Sequence, residues 1–110
     1  MKEEHHIFTS GLEKGEYILP NIFEQYGYKV YFWSNENKEP IHVHISKGTP
    51  HGNSTKVWLT RNGGCILANN NSEVPKDELK EIMKTISLNF LYIVAKWQEV
   101  HGQDSTRFFC

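Results

Sequence analysis

The spacing of apolar residues changes about two-thirds of the way along this chain of 110 residues. Before residue 73, short segments alternate between apolar and polar positions, which is typical of half-buried strands. After that point, apolar residues recur at steps of three and four, as they do along one side of a helix. These residues are Leu79, Ile82, Met83, Ile86, Phe90, Ile93, Val94, Trp97 and Val100. Strands followed by a helix predict an α+β fold, in which the sheet and the helix bury one apolar surface each.

The predicted sheet is antiparallel, with four or five strands and one long helix (about residues 75–101) packed on one face. Residues 28–33 are rich in aromatic and β-branched residues and predict a strand, and residues 34–39 form a polar turn before the next one. Asn62-Gly63 is typical of a tight hairpin further along. Residues 87–89 are a place where the helix could break. We therefore expect one domain over residues 21–102, an N-terminal arm or short strand over 1–20, and a tail over 103–110.

The strand predicted at residues 40–45 carries two histidines, His42 and His44, at alternate positions. Alternate side chains of a strand point to the same face, so both imidazoles point away from the helix. The same alternation places three aromatic residues beside them: Tyr31, Trp33 and Trp58. We call these five residues the aromatic-histidine face. The opposite face is predicted to form the core, with Tyr28, Val30, Phe32, Ile41, Val43, Ile45, Val57 and Leu59.

Three interpretations of the aromatic-histidine face remain open. The face could be covered by the N-terminal arm, by the tail or by a second copy of the chain, since aromatic residues are favoured at such interfaces. It could be a platform on which Tyr31, Trp33 and Trp58 stack the bases of single-stranded RNA. It could also be a metal or acid–base site. The formal net charge of −1 argues against general coating of DNA, which relies on a basic excess.

The metal or acid–base interpretation rests on His42 and His44, whose ring nitrogens could bind a divalent metal such as zinc. The third ligand would come from His51, His101, Glu36 or Glu39. Alternatively, one histidine acts as general base while the other orients the substrate. His101 has a structural alternative as well, because a cation near the C-terminal end of a helix stabilises that helix.

Two functions therefore compete. The first is a module that binds a partner protein or a second copy of itself through the aromatic-histidine face. The second is a metal- or histidine-dependent hydrolase that acts on RNA or another phosphoester, with His42, His44 and His101 as candidate catalytic residues. No apolar run approaches the ~20 residues of a membrane span. The first residues also lack the pattern of a secretory signal, so a cytoplasmic location without membrane contact is expected.

Four segments of the chain resemble a family of small bacterial proteins, the domain-of-unknown-function family 4160. They are Pro20-Asn21-Ile22, the aromatic strand at residues 28–33, the Pro-x-His-x-His motif at 40–44 and the Trp-x-x-x-His pattern at 97–101. Family members often have Pro-Pro-His-Phe-His, where this chain has Ile41 and Val43. The resemblance covers roughly residues 20–102. It implies the fold predicted above and points to His42, His44 and His101. Members tend to be encoded beside another small protein, which implies a toxin–antitoxin-like role.

Overall fold

The structure is a computed structural model that describes residues 22–36, 38–50 and 52–110. Five strands are followed by two helices: β1 (Phe23–Gln25), β2 (Tyr28–Tyr31), β3 (His42–Lys47), β4 (Thr55–Leu59), β5 (Cys65–Asn69), α1 (Lys76–Leu88) and α2 (Phe90–His101). The strands form one antiparallel sheet in which each strand pairs with the next one along the chain. The prediction of an α+β fold is confirmed. The predicted arm at residues 1–20 lies outside the described residues.

The register of the sheet separates an apolar face from the aromatic-histidine face. Tyr31 lies opposite His44 on the neighbouring strand, and His42 lies opposite Trp58. The eight core residues predicted for the other face all belong to one hydrophobic cluster, together with Leu79, Ile82, Ile86, Ile93 and Trp97 of the helices. Because side chains alternate with a period of two, one correct register fixes both faces at once.

The prediction of a single long helix is wrong, because the helical segment is divided at Asn89. The side-chain amide of Asn89 donates to the carbonyl of Thr85 at 2.9 Å, and its backbone ψ is 19°. Asparagine often binds nearby backbone groups in this way and so competes with regular helix geometry. The carbonyl of Asn89 then accepts the first hydrogen bond of α2, from the N–H of Ile93 at 2.9 Å. Among the described residues, no helix is long and apolar enough to cross a membrane.

Residues 103–110 turn back onto the sheet after a short 3-10 turn at Gln103–Ser105. The N–H of Ile41 donates to the carbonyl of Arg107 at 2.8 Å. Further along, Phe109 stacks on Trp58, with ring centroids 5.0 Å apart and planes 4° apart. The tail therefore lies across the end of β3 that carries His42 and covers part of the aromatic-histidine face.

Candidate metal centre

The loop between β2 and β3 brings a carboxylate to both histidines of the strand. Glu36 Oε1 lies 3.0 Å from His42 Nε2, and Glu36 Oε2 lies 2.7 Å from His44 Nε2. The backbone N–H of Trp33 donates to Glu36 Oε1 at 3.0 Å, which anchors the side chain within its own turn. We call Glu36, His42 and His44 the Glu-His-His group. One potential metal-ligand atom from each of the three lies within 4.8 Å of the others.

His42 is oriented as a metal-ligating histidine is. Its Nδ1 lies 2.9 Å from the carbonyl oxygen of Pro40, which can only accept, so Nδ1 carries the proton. In the neutral ring, the lone pair is then on Nε2. This atom is buried, and no contact among the described residues meets hydrogen-bond geometry with it, although Glu36 Oε1 is close. Metal-binding histidines commonly donate one ring N–H to a backbone carbonyl and use the other nitrogen as ligand.

His44 is held by a hydrogen bond at one ring nitrogen and by stacking against the face of its ring. Its Nε2 donates to Glu36 Oε2, while no described residue makes a hydrogen bond with its buried Nδ1. The ring stacks against Tyr31, with centroids 5.6 Å apart, and Tyr31 Oη is 2.8 Å from Ser54 Oγ. Binding a metal through Nε2 would therefore require His44 to move its proton to Nδ1.

The Glu-His-His group is shielded from solvent. The exposed fractions of the side chains are 0% for His42, 6% for His44 and 13% for Glu36. Burial alone would raise the pKa of Glu36, but its contacts with the two imidazoles outweigh burial and lower the pKa from 4.5 to about 2. Glu36 is therefore a carboxylate at neutral pH, which is the form that binds metals.

The dimensions of the group match those of a small divalent-cation site only in part. Zinc bonds to nitrogen and oxygen of about 2.0–2.1 Å in a tetrahedral site place neighbouring ligand atoms about 3.3 Å apart. The nitrogen–oxygen distances to Glu36 are 3.0 and 2.7 Å. A zinc ion would thus require these two pairs of atoms to separate by a few tenths of an ångström, whereas any pair at the 4.8 Å limit of the group would have to approach by about 1.5 Å.

The other predicted ligands lie elsewhere. Glu39 forms an ion pair with Lys56 instead of joining the group. His51 lies outside the described residues. Glu36 was only one of four candidates in the sequence, and no signal distinguished it from Glu39, since both lie in the loop before the histidines. The roles of the Pro40 carbonyl in fixing the His42 tautomer and of Trp33 in anchoring Glu36 carry no sequence signal at all.

His101 lies beside Trp97, near the Glu-His-His group but not part of it. Its ring centroid is 4.2 Å from that of Trp97, which in turn is 5.4 Å from that of His42. His101 Nε2 donates to the carbonyl of Trp33 at 3.2 Å. Burial lowers the pKa of His101 despite that hydrogen bond, so the charged form is disfavoured. This argues against the alternative role of His101 as a cation that stabilises the C-terminal end of α2.

We expect the lowered pKa of His101 to make the protein less stable in mild acid. Below its ordinary value of 6.5, the unfolded chain takes up a proton that the folded protein resists, so stability is full above that pH and falls below it. His101→Gln keeps a donor for the Trp33 carbonyl but does not titrate. We would measure the free energy of unfolding in urea between pH 7 and pH 5. As the pH falls, this free energy should decrease less in the variant than in the wild type, and an equal decrease in both would contradict the prediction.

The aromatic part of the face is less accessible than a stacking platform requires. Tyr31 has no exposed surface. Trp33 and Trp58 are partly buried, and Trp58 lies between Phe109 and Lys56, whose Nζ is 4.6 Å from the ring centroid. Stacking of several bases on this face would need the tail to move away.

Comparison with known proteins places the chain in a family. A family model described as Domain of unknown function (DUF4160) matches residues 27–98, about two-thirds of the chain. The match includes the whole Glu-His-His group and Trp97, and it ends before His101. No curated protein and no solved structure matches significantly. The sequence resemblance is confirmed, and the chain belongs to the DUF4160 family.

Proposed function

We propose that the protein binds a divalent metal such as zinc through Glu36, His42 and His44 and uses it to hydrolyse a phosphoester. The observation that carries this proposal is the convergence of one potential ligand atom from each of Glu36, His42 and His44 within 4.8 Å of one another. The buried Nε2 of His42 lies 3.0 Å from Glu36 Oε1 but does not meet hydrogen-bond geometry with it. Buried polar atoms in native proteins are nearly always satisfied. A cation between the nitrogen and the carboxylate would satisfy both atoms.

The number of ligands supports a catalytic site over a structural one. Structural zinc sites are usually closed by four protein ligands, whereas catalytic sites combine three, such as two histidines and a glutamate, with a water. When bound, the metal would activate that water and stabilise negative charge on the phosphate. Hydrolysis would join the water oxygen to phosphorus, break the bond to the leaving oxygen and pass a proton of the water to that oxygen.

The charge beside the group favours an anionic substrate. Lys56 lies opposite His44 in the sheet register, on the same face, and its side chain is 20% exposed. Its partner Glu39 is more exposed, at 42%, so a phosphate could replace the carboxylate beside the Lys56 ammonium group. A phosphoester of RNA or of a smaller molecule carries the matching charge.

The test compares Glu36→Gln with Glu39→Gln in untagged protein. Both variants remove one carboxylate from the same loop, but only Glu36 belongs to the Glu-His-His group. After incubation with zinc and removal of excess metal, we expect about one equivalent in the wild type and in Glu39→Gln. In Glu36→Gln, we expect less than a tenth of an equivalent and about a 100-fold or greater loss of zinc-dependent bis(p-nitrophenyl) phosphate hydrolysis. Equal metal content in the two variants would contradict the proposal.

Self-association through the aromatic-histidine face is a second candidate, supported by the stacked pair of Trp58 and Phe109. Phe109 is 55% exposed and so presents an aromatic surface next to this face. Sedimentation velocity at high protein concentration should then detect a dimer, and Phe109→Ala should shift the equilibrium towards monomer. A wild-type protein that remains monomeric would exclude this candidate.

A further inference from the structure

The last strand of the described sheet leaves one edge open. Within the described ranges, β5 pairs with β4 alone. Natural edge strands are commonly protected against pairing by lysine, proline or other charged residues. The sequence of β5, Cys-Ile-Leu-Ala-Asn, contains none of them, and Ile66 and Leu67 are 40% and 38% exposed. This edge is therefore chemically suited to accept another strand.

Helix α1 runs back beside β5. Six residues connect β5 to α1, and the side chain of Asn70 donates to the carbonyl of Val74 within that link. At the other end, Cys65 Sγ lies 3.5 Å from the carbonyl oxygen of Met83 and 3.7 Å from Ser87 Oγ. The end of β5 thus adjoins the start of α1, and the start of β5 adjoins the last turns of α1, so the two elements are antiparallel.

A groove of about 460 Å³ follows α1 beside the start of β5. Its apolar part is formed by Cys65, Leu79 and Met83. Three lysines also line it, spaced four residues apart on one side of the helix: Lys76, Lys80 and Lys84. Lys84 lies 3.4 Å from the exposed carboxylate of Glu81. Within the part of the chain that the structure describes, no carboxylate forms an ion pair with Lys76 or Lys80.

We propose that this groove and the edge of β5 bind an extended acidic segment of a partner protein, which adds to the sheet as a further strand. Main-chain hydrogen bonds to β5 would supply affinity, as in other cases of strand addition, and the groove would select side chains. Alternate residues of a strand are about 6.7 Å apart on one face, and successive lysines of the row are about 6 Å apart along the helix. Acidic and small apolar residues at every second position of the segment share one face. On that face they would match the lysines and the apolar floor of the groove.

The charge of the groove argues against a second copy of the chain as the occupant. Two β5 strands paired antiparallel about a twofold axis would place both α1 helices side by side on one face of the joined sheet. The lysine row of each copy would then approach the lysine row of the other, and like charges repel. A partner with carboxylates avoids this repulsion. The proposed surface shares no residue with the Glu-His-His group, so it stands independently of the metal proposal.

The test uses a blocked peptide, Thr-Glu-Thr-Val-Thr-Glu-Thr, whose two glutamates and central valine share one face when the peptide is extended. A control peptide has lysine in place of both glutamates. In an NMR titration of the full-length protein, we expect the acidic peptide to bind and Lys80→Glu to weaken binding by about fivefold or more. Lys96→Glu, an equal charge change at a position of α2 whose side chain is 40% exposed, should bind as the wild type does. Affinity should also fall with added salt.

Amide hydrogen exchange then distinguishes strand addition from binding to the helix surface alone. The bound peptide should slow exchange within Cys65–Asn69, because its backbone pairs with the open edge. Failure of the acidic peptide to bind at millimolar concentration would overturn the proposal, as would equal binding of the two peptides or equal weakening by Lys80→Glu and Lys96→Glu. Binding without protection of β5 would overturn the strand addition, and a concentration-dependent dimer that competes with the peptide would assign the edge to a second copy.

Discussion

Zinc at 100 times its dissociation constant is expected to raise the free energy of unfolding of the wild-type protein by about 2.7 kcal/mol. The reason is that the folded chain holds one carboxylate and two imidazoles within 4.8 Å of one another, whereas the unfolded chain does not. For a domain of this size, each kcal/mol shifts the midpoint of thermal unfolding by roughly 4 °C or more. Calorimetry at a series of zinc concentrations should show a rise of about 10 °C that a chelator reverses.

The matched variants separate binding at the Glu-His-His group from binding elsewhere. Glu36→Gln should show almost no shift with zinc, because an amide is a much poorer ligand than a carboxylate. Glu39→Gln, which alters only the pair with Lys56, should retain the full shift. If zinc stabilised both variants equally, the metal would have to bind at another place on the protein.

Trp97→Ala is expected to lower the free energy of unfolding by about 3–5 kcal/mol. The side chain of Trp97 is fully buried and is among the largest in the core. Its ring centroid lies 5.0 Å from that of Phe32 and 4.2 Å from that of His101, so truncation leaves a cavity between the sheet and α2. Such a loss is a large share of the total stability of about 5–15 kcal/mol of a typical domain. Urea unfolding followed by far-ultraviolet circular dichroism measures it without relying on tryptophan fluorescence.

Leu91→Ala provides the control, because Leu91 lies on the same helix and is 79% exposed. Its effect should stay within about 0.5 kcal/mol. Similar losses in the two variants would show that the core position of Trp97 is misassigned. Because the Trp97 ring also contacts the ring of His42, Trp97→Ala should in addition reduce the zinc-dependent stabilisation of whatever folded protein remains.

The arrangement of the sheet could be predicted from the sequence because alternation leaves few choices. Once Val43 faces the core, His42 and His44 must lie together on the other side, and Tyr31 and Trp58 follow from the pairing of neighbouring strands. The helix break at Asn89 falls within residues 87–89, where the sequence allows a break, but the apolar stripe continues across it and does not reveal the hydrogen bond from the Asn89 side chain to Thr85.

The composition of the candidate site could be predicted only in part. The histidines follow from strand geometry, but the choice of Glu36 over Glu39 depends on how the loop folds, and loop conformation has no period to detect. The position of the tail on the sheet could not be predicted for a similar reason. It depends on backbone hydrogen bonds, such as that from Ile41 to Arg107, which do not depend on residue type. For His101, sequence position placed it near the helix end but could not show that its Nε2 donates to the carbonyl of Trp33 and stays outside the Glu-His-His group.

All three members of the Glu-His-His group lie within nine consecutive residues, 36–44, in one hairpin between neighbouring strands. Closing a loop of about ten residues takes about 10–100 ns and forming a hairpin about 1–10 μs, both faster than pairing between distant segments. The group is therefore expected to assemble early during folding, before the helices make their contacts with the sheet. A metal ion present at that stage would link the hairpin in its native register and so speed folding of the remaining sheet.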